Sequence, residues 1–485
     1  MFLKNLILVL CRNAQEGGLI ARTLRYREVR CLPLPFDTPA QQALSHDPCG
    51  VIVTTDHFSA DALDGLDFSL LSAGLPVLAL GGAAAQLCSH FGGSFDMCAN
   101  ERASVTLSLS DEAIFEGIDP GERKLGLLAE LSLPEVLSPI ATATERVIGF
   151  RHKALELYGM QHPIERNDPD AAQLLYNFAT SVCSAQPDWT DDAIIDAAVE
   201  RICLAAPEGR VLCAVSGGVD SAVCAKLASM AVGDRLMCVF VDTGLFREDE
   251  PARVIRTYME SMGLVVAHVD ASESFLRALS GVSSAADKER IATQLMTQVL
   301  IKQLNYDPEI RTIVKGTNFN DRLFGFAAEP EKEAPAEGVC VCEPINDLFK
   351  AEVRSLATAL DLPAVITARQ PFPSSGLALR VMSSVDAEKL HILRTADAIF
   401  SEEILEGGHD RRLWQYYATL TPNPDRPGTN AVILRATQAA QNGAYAARLP
   451  FDVLERAGER ILSELPSVRR VVYDLTPSAH YGELE

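Results

Sequence analysis

The run Val211-Leu212-Cys213-Ala214-Val215, followed without a spacer by Ser216-Gly217-Gly218-Val219-Asp220-Ser221, constrains this chain more than any other segment. Five consecutive apolar residues are too short for a helix and read as a strand buried on both faces. Residues 222–230 are good helix formers, so the glycines fall in the turn between a strand and a helix. Such a turn is an anion site. Glycines let backbone N–H groups approach an oxygen, and the helix dipole favours negative charge there. Ser216 and Ser221 add hydroxyl donors. Asp220 would repel a phosphate unless it also holds a cation, which points to Mg²⁺ bridging to a pyrophosphate. The Gly-Lys-Ser/Thr of a Walker loop is missing, so γ-phosphate transfer is not indicated.

Apolar runs at 6–10, 51–53, 77–80, 211–215, 237–241, 265–269 and 312–314 alternate with helical patterns up to about residue 370. Continuous apolar strands between helices predict an α/β chain with two doubly wound, mostly parallel sheets. A small α+β segment follows, with strands over 431–435 and 470–473 and a helix over 451–465. The junctions fall at Gln186-Pro187-Asp188-Trp189-Thr190, where Thr190 or Asp191 caps a helix, and in the Pro/Ser/Gly-rich stretch 370–376. Three domains follow, over 1–186, 187–378 and 379–485, with a charged, Pro/Ala-rich loop over 326–338. A formal net charge of −22 excludes a general nucleic-acid binder, since nothing would offset phosphate repulsion. No stretch is apolar for long enough to span a membrane, and the start lacks the apolar length and cleavage site of a secretion signal. Twelve cysteines without paired metal spacing read as reduced, buried thiols, and a cytoplasmic location is expected.

Three more segments reach the same sheet edge. Asp242 ends the strand 237–241 and is placed to meet an adenosine or the cation. Lys315-Gly316-Thr317-Asn318-Phe319-Asn320-Asp321 follows the strand 312–314 in the same way, and Lys350 sits in Leu348-Phe349-Lys350-Ala351-Glu352-Val353. A lysine at either place neutralises charge that builds on a departing pyrophosphate.

The loop resembles that of the PP-loop ATP pyrophosphatases. The ordered set of segments resembles the GMP synthase family along most of the chain. It comprises Trp189-Thr190, the phosphate loop, Val239-Phe240-Val241-Asp242-Thr243-Gly244-Leu245-Phe246-Arg247, Glu343-Pro344, Leu348–Arg354, Arg369-Gln370-Pro371-Phe372-Pro373, Leu377-Ala378-Leu379-Arg380, Leu393–Phe400 and Arg469–Asp474. The resemblance implies a class I glutamine-amidotransferase domain, an ATP-pyrophosphatase domain and a C-terminal domain that pairs two subunits into a homodimer. It implies ATP and Mg²⁺, adenylylation of a purine-nucleotide oxygen (XMP in the family), and attack by ammonia with release of AMP and pyrophosphate. Carried over, Ser216, Gly217, Gly218, Val219, Asp220, Ser221, Asp242, Lys315, Gly316 and Thr317 bind ATP. Lys350 and Asp220 act in catalysis, and Asp321, Arg380, Arg426 and Glu483 bind the acceptor.

The departures matter as much. Gly81, in Val77-Leu78-Ala79-Leu80-Gly81-Gly82, stands where the family has its cysteine nucleophile. Thr54-Thr55-Asp56-His57 replaces the oxyanion loop, and Asp56 would oppose an oxyanion. His162 and Glu165 look like relics of the His-Pro-Glu end of the triad. Cys88 reads as a buried thiol in a helix. The glutaminase is therefore expected to be dead, with ammonia free or delivered by a separate glutaminase. The family's His-His-Asn-Val-Gly-Gly segment is missing between Asp321 and Glu343, and the tail Pro477–Glu485, with its His480-Tyr481, lacks the family's lysine. Two alternatives stay open: a PP-loop sulfurtransferase using Cys340 and Cys342, and a non-catalytic nucleotide-binding relative.

Overall fold

A computed structural model describes residues 5–55, 63–97, 102–126, 129–161, 168–323, 338–373, 375–440 and 443–476. The chain divides into two compact units, Met1–Ile194 and Ile195–Glu485.

In the first unit, Ile7–Cys11 lies inside a five-stranded parallel set with Cys31–Pro35 on one side and Gly50–Thr55, Val77–Gly81 and Leu157–Met160 on the other. Every residue of Ile7–Cys11, Gly50–Thr55 and Val77–Gly81 is buried, as continuous apolar strands require. The sheet then continues with antiparallel strands Arg146–His152, Leu137–Ala143, Arg102–Leu109 and Gly121–Gly126, to nine strands in all. These are polar, interrupted sequences, and continuous apolar runs did not reveal them.

The second unit holds an all-parallel five-stranded sheet in the order Val266–Asp270, Leu236–Asp242, Arg210–Ala214, Ile310–Val314, Cys340–Cys342. Chain order reverses at Arg210–Ala214, whose later neighbours lie on opposite sides of it. That reversal opens a crevice at its C-terminal end, where open α/β sheets bind ligands. The strand read over 265–269 is Val266–Asp270 and is not buried: it is the sheet's edge, half-covered at best, with Val265 81% exposed. An edge position leaves an apolar run open that a central position would cover.

The C-terminal segment forms a four-stranded sheet. Gln415–Pro422, Asn430–Ala440 and Gly443–Ala446 run antiparallel, and Val468–Tyr473 runs parallel to Asn430–Ala440. Helices Ala387–Glu406 and Phe451–Glu464 cover it, the second through Val453, Ala457 and Ile461 at spacings of four. These residues share one apolar core with Leu212, Val239 and Val241 of the parallel sheet. Among the described residues no helix is long and apolar enough to cross a membrane.

Ile461 is fully buried in this core. Ile461→Ala is expected to cost about 2–4 kcal/mol by lost transfer energy plus a residual cavity. Urea unfolding followed by Trp414 fluorescence in a Trp189→Phe background measures it, and a midpoint equal to the parent's would refute the assignment of Ile461 to the shared core.

Candidate active site

The strand Arg210–Ala214 leads through Val215–Gly218 into the helix Val219–Val232, whose buried residues include Ala222, Val223, Cys224, Ala225 and Leu227. Packing on several sides fixes this helix, so its first turn is a rigid set of N–H donors. Gly217 adopts φ +78°, and a Cβ there would lie 2.5 Å from Val254 Cγ2. Only glycine meets both conditions. Ser221 Oγ donates to Gly218 O at 3.0 Å and accepts Ser216 N at 3.2 Å. Its third neighbour is the fully buried Tyr258, with the two hydroxyls 3.4 Å apart.

Asp220 and Lys350, 130 residues apart in sequence, meet here: Lys350 Nζ lies 2.5 Å from Asp220 Oδ2. Lys350 opens the helix Lys350–Ala359, whose N-terminus is capped by Glu352 Oε2 on Phe349 N at 2.7 Å. Asn318 Nδ2 donates to the other Asp220 oxygen at 3.2 Å, and Asn318 N donates to Asp321 Oδ2 at 2.9 Å. Burial, aided by the neighbouring Asp220 charge, pushes the Asp321 carboxyl above its usual range. Thr317 Oγ1 donates to the buried Glu343 Oε1 at 2.7 Å. Gly316 touches the phosphate loop itself, since a Cβ there would lie 3.1 Å from Ser221 N. Lys315 is half-buried, and its backbone N–H pairs with Cys342 O. Thus Ser216–Ser221, Gly316, Thr317, Asp321 and Lys350 converge on one sheet edge. Asn318 and Glu343 belong to the same cluster, although the sequence reading did not assign them to the site. Their signal was position: each lies just past the end of a strand of the parallel sheet.

Asp242 caps Gly244 N through Oδ1 at 2.8 Å, and its Oδ2 lies 3.8 Å from His268 Nε2. With Gly244, Phe246, Arg247, His391 and Arg394 it lines a cavity of about 290 Å³. Arg380 was expected to face the acceptor, but it is only 1% exposed and pairs with Asp397 at 3.3 Å. Two of its nitrogens, Nε and Nη2, are buried without a hydrogen-bond partner among the described residues. Burial lowers its guanidinium to about 10. Arg426 sits apart, exposed in the turn between strands Gln415–Pro422 and Asn430–Ala440, without an ion pair among the described residues. Asp56, His57, His162, Glu165, His480, Tyr481, Glu483 and nearly all of the 326–338 loop lie outside the described residues.

Gly81 is at a strand–helix turn between Val77–Gly81 and Gly82–His90, with φ 62° and ψ −129°. That is the sharp geometry of a nucleophile elbow, with no nucleophile on it. A Cβ at this position would lie 2.7 Å from Thr55 O. Cys88 is buried, and burial pushes its thiol up to about 11. Cys342 is likewise buried with its thiol up at about 11, which makes it a weak nucleophile for sulfur transfer.

A family model described as NAD synthase matches residues 195–410, and one described as GMP synthase C terminal domain matches residues 402–480. A GMP synthase (glutamine-hydrolyzing) of Symbiobacterium thermophilum is 34% identical over 98% of this chain and 97% of its own. Its counterpart in Syntrophomonas wolfei is 34% identical over 98% of both chains, and that of Carboxydothermus hydrogenoformans 32% over 97% of both. The chain belongs to the GMP synthase family. Membership makes it an ATP-dependent ligase that forms C–N bonds.

Gly316→Ala tests the close approach of the two loops. Displacing the Ser221 amide by a few tenths of an ångström is expected to lower kcat/KM for ATP about 4- to 10-fold, because a displacement near 1 Å costs about 10²-fold. An AMP-release assay reads this, and wild-type turnover in Gly316→Ala would remove the contact from the site.

Proposed function

We propose that this chain adenylylates a carbonyl oxygen of a purine nucleotide, XMP by default, and aminates the activated carbon with ammonia. AMP and pyrophosphate are released. The observation that carries the reading is the meeting of Lys350 with Asp220 at the mouth of a glycine phosphate loop. The acceptor oxygen attacks the α-phosphorus, the α–β bridging P–O bond breaks, and ammonia then displaces AMP from carbon. Backbone N–H groups of Gly217–Ser221 and the ammonium of Lys350 hold the pyrophosphate as its charge grows. Mg²⁺ fits the donor set, since the carboxylates of Asp220 and Asp321 are hard oxygen ligands and the raised Asp321 carboxyl is relieved by a cation. When bound it would neutralise charge on the phosphates. Among the described residues no cluster of three or more ligating side chains stands ready, so phosphate and water oxygens would complete its shell.

Residues 1–186 are assigned as an amidotransferase-like domain without activity, 187–378 as the pyrophosphatase and 379–485 as the acceptor-binding and dimerisation domain. Arg247, which lines the cavity beside Asp242, supplies the cationic wall for the acceptor, and the buried Arg380 backs it through their shared partner Asp397. A homodimer in the cytoplasm is the expected working form, with a light-scattering mass of two 52.5 kDa chains, and a mass of one chain would overturn the dimer.

Purified chain supplied with Mg²⁺, ATP, XMP and ammonium at alkaline pH is expected to yield AMP and pyrophosphate in equal amounts. Detection of ADP as the stoichiometric product would overturn the ATP chemistry, and the absence of GMP would overturn the acceptor. Asp220→Asn is expected to reduce turnover about 10²- to 10³-fold, the scale of losing one preorganised charge partner, and an unaffected variant would remove its role.

Glutamine is expected not to replace ammonium. Gly81→Cys is expected not to restore hydrolysis, because its Cβ would press on the Thr55 carbonyl. Glutamate release by the wild-type chain would sink the first claim, and glutamate release by Gly81→Cys the second.

A further inference from the structure

Glu250 opens the helix Glu250–Arg256 and is 1% exposed. Its Oε1 lies 2.5 Å from Arg369 Nη2, and its Oε2 accepts the backbone N–H of Arg247 at 3.0 Å. A buried ion pair contributes little net stability against two well-packed apolar residues, so its retention asks for another reason. The outer ends of this pair supply one. Arg369 Nη1 donates to the carbonyl of Ser216, the first residue of the phosphate loop, at 3.2 Å. On the other side, Arg247 Nε holds Asp397 Oδ2 at 2.8 Å, and Asp397 Oδ1 also takes Arg380 and the backbone of Ala418. The three guanidiniums of Arg247, Arg369 and Arg380 stand 5.1, 5.7 and 5.1 Å from the centre of one ring, Phe372. The same helical segment also presses Val254 on Gly217 and sends Tyr258 to Ser221. It passes into π-helical geometry at Thr257–Ser261, a departure that occurs often at functional sites.

We infer that Glu250 and Arg369 are positioning residues that fix the phosphate loop at a set distance from the Arg247–Asp397–Arg380 cluster. This rests on the reading of the site proposed above. Adenylylation needs the acceptor oxygen in line with the α-phosphorus, and the pair spans the two walls that hold those atoms. Both act through the groups they hold, Arg369 through Ser216 and Glu250 through Arg247.

Arg369→Lys keeps the charge but not the fork that reaches two partners, and Glu250→Gln keeps the shape but not the charge. Two measurements test them. In turnover with XMP, each variant is expected to lose about 30- to 100-fold in kcat with both KM values within about threefold, the signature of misalignment. Arg369→Lys/Glu250→Gln is expected to be no worse than either single variant. In the ligand-free protein, amide hydrogen exchange over residues 216–221 is expected to quicken about tenfold while the strand Leu236–Asp242 stays protected. Loop exchange at the wild-type rate, or exchange quickened equally in that strand, overturns the inference. So does kcat within threefold of wild type. If wild-type protein does not convert XMP, the acceptor assignment fails, and loop exchange decides the pair by itself.

Discussion

The site depends on a single electrostatic contradiction and its resolution. Asp220 lies in the first turn of the helix Val219–Val232, among amides oriented to receive phosphate. The helix dipole favours that carboxylate, but a phosphate arriving beside it would be repelled at close range in a half-buried place. A cation must therefore share the turn. The chain supplies one by folding residue 350 back onto residue 220 at 2.5 Å. Much of the second unit can be understood as the means to that contact. The order reversal at Arg210–Ala214 opens the crevice, Ile310–Val314 and Cys340–Cys342 extend the sheet on one side, and the turn after Cys342 delivers the Lys350 helix. Arg201 fastens that turn, donating to Glu343 O, Pro344 O, Asn346 and Asp347.

What the sequence made legible was local. Val211–Ser221 contains strand, turn and helix in one stretch of chain, so the phosphate loop could be read with its geometry. The same was true of Gly81, where a buried strand runs directly into a helix. What stayed hidden was set by distance or by pattern. Nothing near Glu250 in sequence says that it meets Arg369, because that pairing is made by packing of a helix against a distant loop. Arg380 matched a family position, and burial rather than identity decides how it can serve. The antiparallel half of the first sheet escaped because its strands lack unbroken apolar runs. The run 265–269 misled for the opposite reason: it is apolar enough for a core, yet it forms an edge.

In the first unit, Gly81 holds a backbone conformation that a side chain would strain. A side chain at φ 62°, ψ −129° is strained, and such strain persists only when function or surrounding structure holds it. Glycine adopts that backbone at little cost. With Cβ gone, the Thr55 carbonyl stands 2.7 Å from where that atom would be. The turn thus has the shape of an elbow without room for a side chain on it. The buried, mostly apolar strands around it, in register with one another, preserve the fold independently of the chemistry.

The proposed elbow and the proposed phosphate loop differ for a physical reason. A covalent nucleophile is one atom, and its removal ends the chemistry while relieving strain, so nothing in the fold opposes the loss. The phosphate loop distributes its work over backbone amides, a glycine packed on Val254, a hydroxyl cluster and an ion pair that closes 130 residues. Each of these elements also serves packing. Removing Gly217 or Gly316 introduces an overlap, and removing Lys350 leaves Asp220 without its cation, so loss of function there coincides with loss of stability. A ligase built this way would keep the proposed ATP site for as long as it keeps its fold, without depending on the first unit.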